Sequence, residues 1–320
     1  MAISRIDFDN FLIFKSFFTV DFCDGINVFI GENGTGKTTL MKLLYGWTQK
    51  NNDYLDLETD GKYKNCLKEM NNIEYYFGAS LEEMGYNKYW YPNVILAPLK
   101  KLQAVYIPTT EMLSHSRGFL ALYRELRLPF DGTEVDILSK AERSETREIT
   151  PNAVLVLDKI KKIIGGEVVY ENDSFFVIKE GNKKTPFPLE ASGFRKFGLL
   201  WKLLRNGLLE EGSILFWDEP ENSLNPELVP VLVDILLELS KNGVQIFLAT
   251  HDYNLARYFD VRKNKDIPVL FHNLSKTEAG QIACNSSPEY LKLPNNMLEK
   301  ANEQLFEAVV TNAMGEDDDE

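Results

Sequence analysis

The stretch Gly31-Glu32-Asn33-Gly34-Thr35-Gly36-Lys37-Thr38 decides the fold of this chain. It matches G-x-x-x-x-G-K-[ST] at every fixed position. Its flanks fit as well. Gly25–Ile30 (GINVFI) reads as a short buried strand, and Thr38–Thr48 (TTLMKLLYGWT) reads as a helix with Leu40, Met41, Leu44 and Trp47 near one face. A strand, a glycine loop and a helix start are what a bound triphosphate requires. Glycines let backbone N–H groups turn inward, and the helix N-terminus adds partial positive charge. Asn33, Gly34, Thr35, Gly36, Lys37, Thr38 and Thr39 are therefore candidate nucleotide-binding residues. Lys37 would reach the outer phosphates, and the Thr38 hydroxyl would serve Mg²⁺.

Working outward, 320 residues suit one large domain or a core with a smaller lobe, and 44% hydrophobic residues are enough for a real core. The formal net charge of −13 argues against broad, sequence-independent duplex binding, which relies on Lys and Arg neutralising phosphates. Cys23, Cys66 and Cys284 show no metal-like spacing, so a reduced, cytoplasmic setting is expected. No apolar run approaches membrane-spanning length and the N-terminus lacks a signal-peptide layout, so no membrane partner is expected. Glu316–Glu320 (EDDDE) reads as a solubilising acidic tail.

Ile3–Phe8, Phe17–Phe22 and Val28–Ile30 read as strands leading into the loop. A less orderly stretch, Gln49–Lys101, precedes another buried strand at Leu102–Pro108. Helices are expected over Glu111–Leu126, Thr133–Glu148 and Asn152–Ile164, punctuated by Pro129, Gly132 and Pro151. Gly165–Pro188 resembles hairpin material, with turns at Glu171-Asn172-Asp173 and Gly181-Asn182. The final third alternates. Gly193–Leu208 is helical, Ser213–Trp217 a strand, and Pro226–Lys241 a helix capped by Asn225. Val244–Thr250 is a strand, Tyr253–Phe259 a short helix, Pro268–His272 a strand, and Asn296–Asn312 an amphipathic helix. Continuous apolar strands joined by helices imply a parallel sheet covered on both faces.

The second chemical signal is Ser213–Pro220 (SILFWDEP), an apolar strand ending in two adjacent carboxylates. Asp218 at the strand tip suits Mg²⁺, and Glu219 is placed to orient or deprotonate an attacking water. The third is His251, directly after a buried strand and about thirty residues beyond the acid pair, on what should be the next parallel strand. An imidazole there could sense the γ-phosphate or position the water. Glu219 and His251 are the candidate catalytic residues, and Thr38 and Asp218 the candidate metal ligands. His115 and His272 have no such context.

At these residues the chain resembles an ABC-type ATPase of the RecF/SMC branch, near the compact stand-alone ATPases related to the OLD family. Gly31–Thr38 would be Walker A, Leu215–Glu219 Walker B with its glutamate, and Ser223-Leu224-Asn225-Pro226 the D-loop. His251 would be the switch histidine. The segment Asn10–Ser16 resembles a strand that in this branch precedes the phosphate loop and helps form the nucleotide pocket. The resemblance covers residues 1–48 and about 185–275. It implies an α/β P-loop NTPase fold, namely an ABC-type nucleotide-binding domain with a mostly parallel core sheet, N-terminal antiparallel strands and a small helical lobe. The expected layout is an ATPase lobe over 1–110, a helical lobe over 111–165, the rest of the ATPase core over 166–275, and a C-terminal extension over 276–320.

One motif departs from the pattern. The family's Leu-Ser-Gly-Gly-Gln/Glu-like signature reads here as Glu190-Ala191-Ser192-Gly193-Phe194-Arg195-Lys196. Ser192 and Gly193 are retained and would cap the following helix. Phe194 stands at the second glycine, and Arg195 replaces Gln or Glu. In the family this helix start meets the γ-phosphate held by the other protomer, so Ser192, Gly193 and Arg195 join the candidate nucleotide residues. Alternatively, Arg195 and Lys196 lie on a solvated helix face. No Gln occupies the Q-loop position after Tyr106-Ile107-Pro108, where Thr110 and Glu111 either substitute or cap the next helix.

The resemblance implies Mg²⁺-dependent ATP hydrolysis in a homodimer that sandwiches two nucleotides. Compact members of the branch often act in anti-phage defence beside a separately encoded nuclease or toxin, so control of such an effector is the first expectation. A RecF-like DNA-repair ATPase, with DNA as partner, is an alternative. A transporter ATPase and an ATP-gated scaffold with little turnover are others.

Overall fold

The computed structural model describes residues 2–50, 76–77, 83–86, 93–96, 103–126 and 128–315. Most of the less orderly stretch Gln49–Lys101, including Cys66, and the acidic tail lie outside the described residues.

The strand that carries the phosphate loop, β3 (Ile26–Gly31), is buried along its whole length. It lies inside a six-stranded sheet with β5 (Gln103–Ile107), β9 (Ser213–Asp218), β10 (Gln245–Ala249), β11 (Val269–Lys276) and β12 (Ile282–Ser287), in the order β12-β11-β3-β10-β9-β5. All neighbours pair in parallel except β11 with β12. Apolar residues on successive positions serve opposite faces. Val28, Ile30, Leu215, Trp217, Ile246 and Leu248 belong to one core cluster, whereas Phe29, Ile214, Phe216, Phe247 and Ala249 belong to the other. That is why these strands read as unbroken apolar runs rather than as alternating ones.

On the second face, aromatic rings step across four strands. Phe29 stacks on Phe247 (centroids 6.3 Å apart), Phe247 on Phe216 (4.9 Å) and Phe216 on Tyr106 (6.3 Å). Helix α1 (Lys37–Lys50) packs there through Leu40, Met41, Leu43 and Leu44. The other face is covered by α4 (Pro151–Ile164), α5 (Ser192–Arg205), α6 (Val229–Lys241) and α7 (Tyr253–Arg262). A separate antiparallel sheet, β2-β1-β4, is built from β1 (Ile3–Phe11), β2 (Phe14–Asp21) and β4 (Asn93–Leu96). A third, the meander β6 (Gly166–Glu171), β7 (Ser174–Lys179) and β8 (Lys183–Pro186), follows the helices α2 (Phe119–Leu126), α3 (Gly132–Ala141) and α4. The fold is thus α/β, with a mostly parallel core sheet and antiparallel N-terminal strands. Among the described residues, no helix is long and apolar enough to cross a membrane.

Several elements differ from the expectation. The helix expected over 111–126 is interrupted, with a short 3₁₀ turn at Leu113–His115 before α2, because Gly118 takes a left-handed φ of 69°. The helix expected to run to Glu148 stops at Ala141. Beyond it, Glu145 is held by Lys202 (3.1 Å) and Arg205 (2.5 Å), and the Thr146 N–H donates to the Arg205 carbonyl (2.8 Å), so tertiary contacts win over helix propensity. The strand β12 and the terminal helix α8 (Met297–Gly315) complete the chain, and β12 was not expected. Its sequence, IACNSS, carries little apolar pattern, and among the described residues only one edge of it is paired.

Candidate nucleotide site

The parallel strands β3, β9 and β10 all end at the same edge of the sheet, where α/β folds place their ligands. Gly31, Asp218 and Thr250-His251 are therefore neighbours although far apart in sequence. The Thr250 N–H donates to the Phe29 carbonyl and the Glu219 N–H to the Ala249 carbonyl, both at 2.9 Å, which fixes the three strand ends relative to one another.

Glycine is required in the loop at two positions. A Cβ on Gly31, at φ 141°, would lie 2.2 Å from the Leu274 carbonyl oxygen. One on Gly36, at φ 93°, would lie 2.7 Å from the Phe14 ring. The hairpin of β1 and β2 thus leans directly on the phosphate loop. Lys37 is buried, and its ammonium donates to the Gly31 (2.7 Å) and Glu32 (3.0 Å) carbonyls. Burial lowers its pKa, opposed by the carboxylates of Asp218, Glu219 and Glu221. Thr35, also buried, donates its hydroxyl to the Glu32 carbonyl (2.9 Å). Asn33, Gly34 and Thr38 are exposed at the mouth of the loop, and Thr39 is half-buried in the first turn of α1.

Thr38 Oγ donates to Asp218 Oδ2 at 2.8 Å, and the Tyr106 hydroxyl reaches the same oxygen at 3.4 Å. Burial pushes the Asp218 carboxyl above its ordinary pKa, against the hydrogen bond from Thr38. Beside this pair, His251 Nδ1 lies 3.3 Å from Glu219 Oε1, with both side chains partly open to solvent. Glu219 has a left-handed φ of 48°, a conformation that costs a non-glycine residue on the order of 1–3 kcal/mol. Behind them Thr250 Oγ donates to Glu221 Oε1 (2.7 Å), while Glu221 Oε2 is buried without a partner among the described residues.

This donor set fits Mg²⁺ and a triphosphate. Among the described residues no cluster of three His, Cys, Asp or Glu side chains could hold a metal alone. A hydroxyl and one carboxylate at hydrogen-bond distance suit Mg²⁺, which takes few protein ligands and keeps waters and phosphate oxygens. Lys37, parked on its own loop's carbonyls, has the donors a phosphate would accept from.

The signature-like segment behaves differently from the expectation. Ser192 does not cap α5. The residue before the helix is Ala191, with no side-chain cap, and Ser192 Oγ instead donates to the Ser223 carbonyl (3.3 Å). Gly193 is buried close against Leu224, where an added Cβ would stand 3.2 Å from Leu224 Cδ1. Arg195 does not lie on a solvated face. Its Nη1 donates to Glu111 Oε2 (2.9 Å) and Ser114 Oγ (2.8 Å), while Glu111 also accepts from the Ser114 N–H (3.0 Å). Glu111 therefore anchors the 3₁₀ turn through Ser114 and ties the Q-loop position to α5. Lys196 is not solvated either. It donates to the Glu219 (2.9 Å) and Pro220 (3.1 Å) carbonyls, and burial lowers its pKa to about 8, with Glu221 and Glu219 opposing. Sequence reasoning missed Tyr106, Lys196, Glu221 and Thr250, and only the third acid of Asp218-Glu219-Pro220-Glu221 offered a local signal.

The fold and this strand-edge site define a P-loop nucleotide-binding domain of the α/β class. Residues 1–184 match the family model described as "AAA ATPase domain", so the chain belongs to that family. Residues 112–257 match a second model, "AAA domain, putative AbiEii toxin, Type IV TA system". Among curated proteins the chain is similar to the glutamine transport ATP-binding protein GlnQ of Geobacillus stearothermophilus, with 28% identity over 27% of this chain and 36% of that one. It is also similar to the L-cystine import ATP-binding protein TcyN of Bacillus subtilis, with 26% identity over 37% and 49%. The matched region thus spans between about a third and a half of these relatives. Among solved structures it resembles an SMC head bound to the C-terminal winged-helix domain of ScpA, at TM-score 0.50 and 13% identity over 90% of this chain and 98% of that one, a likeness of fold alone.

Proposed function

We propose that this chain hydrolyses ATP with Mg²⁺ and that its nucleotide state controls a partner protein. The observation that carries the hydrolytic reading is the juxtaposition at one sheet edge of the Thr38–Asp218 pair (2.8 Å) and the Glu219–His251 pair (3.3 Å). In this reading the amides of Gly34–Lys37 and the Lys37 ammonium hold the β- and γ-phosphates. Thr38 and Asp218 hold the metal, which supplies charge neutralisation at the phosphates when bound. Glu219 accepts a proton from the attacking water, and His251, within reach of that carboxylate, orients it and senses the γ-phosphate.

Ser192, Gly193 and Arg195 complete the partner protomer's site in the homodimer this reading expects. Arg195 must then exchange its bond to Glu111 for the phosphate. The clamp's load is a separately encoded effector of the nuclease or toxin kind, in a defence role and in the cytoplasm. The toxin–antitoxin description of the model matching residues 112–257 supports a role in such a system. The test compares purified protein with Glu219→Gln. Mg²⁺-dependent phosphate release should fall by about a hundredfold or more in the variant while ATP still binds. A wild-type rate no faster than the variant's would refute hydrolysis and leave a nucleotide-gated scaffold.

A further inference from the structure

The helix α5 touches the turn that follows β9 at three points. Ser192 Oγ reaches the Ser223 carbonyl, Gly193 packs on Leu224, and Lys196 Nζ takes the carbonyls of both Glu219 and Pro220. The last contact falls where the main chain is most unusual. Glu219 is left-handed at φ 48°, and such a conformation persists only where the surroundings over-determine it. Its N–H is fixed by the Ala249 carbonyl (2.9 Å), and its carbonyl accepts from the Asn222 N–H (3.1 Å) as well as from Lys196. A half-buried ammonium on two consecutive carbonyls makes charge-assisted bonds, roughly twice as strong as neutral ones. Among the described residues no acidic side chain is its hydrogen-bond partner. The nearby carboxylates of Glu219 and Glu221 act on it through space only.

We propose that Lys196 is a positioning residue for hydrolysis. By holding the Glu219 and Pro220 carbonyls it fixes the main chain from which the Glu219 carboxylate is aimed. The same helix carries Arg195 on the Glu111 loop and begins at the signature-like turn. A displacement of α5 at its N-terminus is thereby felt at the Glu219 of its own protomer. This inference rests on the hydrolytic reading above.

The experiment uses the full chain with Lys196→Met, Lys196→Arg, Glu219→Gln and the Lys196→Met/Glu219→Gln double variant. Lys196→Met should lower kcat about 10- to 100-fold while the Kd for ATP stays within about twofold of wild type, and Lys196→Arg should recover most of the rate. In the Glu219→Gln background the Met substitution should cost nothing further, because its effect passes through Glu219. Without nucleotide, amide hydrogen exchange over 219–224 should quicken in Lys196→Met and stay near wild type in Lys196→Arg. A Lys196→Met enzyme at the wild-type rate would overturn the proposal, as would a Met penalty that persists without Glu219 or a parallel loss of ATP affinity. Should wild type and Glu219→Gln prove equally inactive, the hydrolytic reading fails and takes this proposal with it. Should they differ while Lys196→Met matches wild type, only this proposal fails.

Discussion

Thr38 and Asp218 are 180 residues apart in sequence and 2.8 Å apart in space, hydroxyl to carboxylate, across the ends of α1 and β9. The bond holds together two oxygens that a single Mg²⁺ can engage. Asp218→Asn keeps the shape and loses the charge. It should abolish the Mg²⁺ dependence of ATP binding and reduce turnover at least about a hundredfold. Titrating a fluorescent nucleotide with and without Mg²⁺ checks this, and an unchanged Mg²⁺ effect would remove Asp218 from the metal site.

Lys37 bonds to the carbonyls of Gly31 and Glu32 within its own loop. In the proposed nucleotide site those bonds exchange for phosphate oxygens. Lys37→Ala should therefore abolish measurable ATP binding by calorimetry. Unchanged affinity would show that the loop grips nucleotide by its amides alone.

Arg195 and Glu111 meet at 2.9 Å with both side chains about four-fifths buried (23% and 21% exposed), a setting less screened than a surface pair. Denaturant melts of Arg195→Met, Glu111→Gln and the double variant should give a coupling energy of about 1 kcal/mol. Additive losses would mean that the pair does not form in solution.

The sequence resolved whatever depends on local chemistry. The glycine loop, the strand tip Asp218-Glu219 and the position of His251 after an apolar strand each carry their meaning within a few residues, and the structure brings all three to one edge. The fate of Arg195 and Lys196 was hidden. Two adjacent basic residues at a helix start look alike in sequence, yet one turns toward Glu111 and the other toward the Glu219 carbonyl. That choice is set by which loops pack on α5. Likewise Ala141 ends its helix because Glu145 is held by a distant helix, a contact that no propensity encodes.

His272 had no sequence context, and the structure gives it one that bears on stability. It is buried on β11, with Nε2 3.2 Å from Asn27 Oδ1 and Nδ1 2.7 Å from Ser286 Oγ. Asn27 Oδ1 can only accept, so Nε2 carries the proton, and in the neutral ring Nδ1 then accepts from the serine. Burial lowers its pKa to about 3, from 6.5 in a free side chain. Above pH 6.5 the ring is neutral in both folded and unfolded chains and pH has no leverage through it. Below that value the unfolded chain takes up a proton that the folded one refuses, so stability falls as pH falls, by up to ~1.4 kcal/mol per unit. Between pH 6.5 and 5 the loss should reach ~2 kcal/mol. His272→Gln offers amide donors and an acceptor to the same neighbours without titrating. It should be less stable at pH 7 yet flatter over this window. Urea melts at pH 7 and pH 5 measure the difference, and equal slopes in the two proteins would assign the acid sensitivity to other groups.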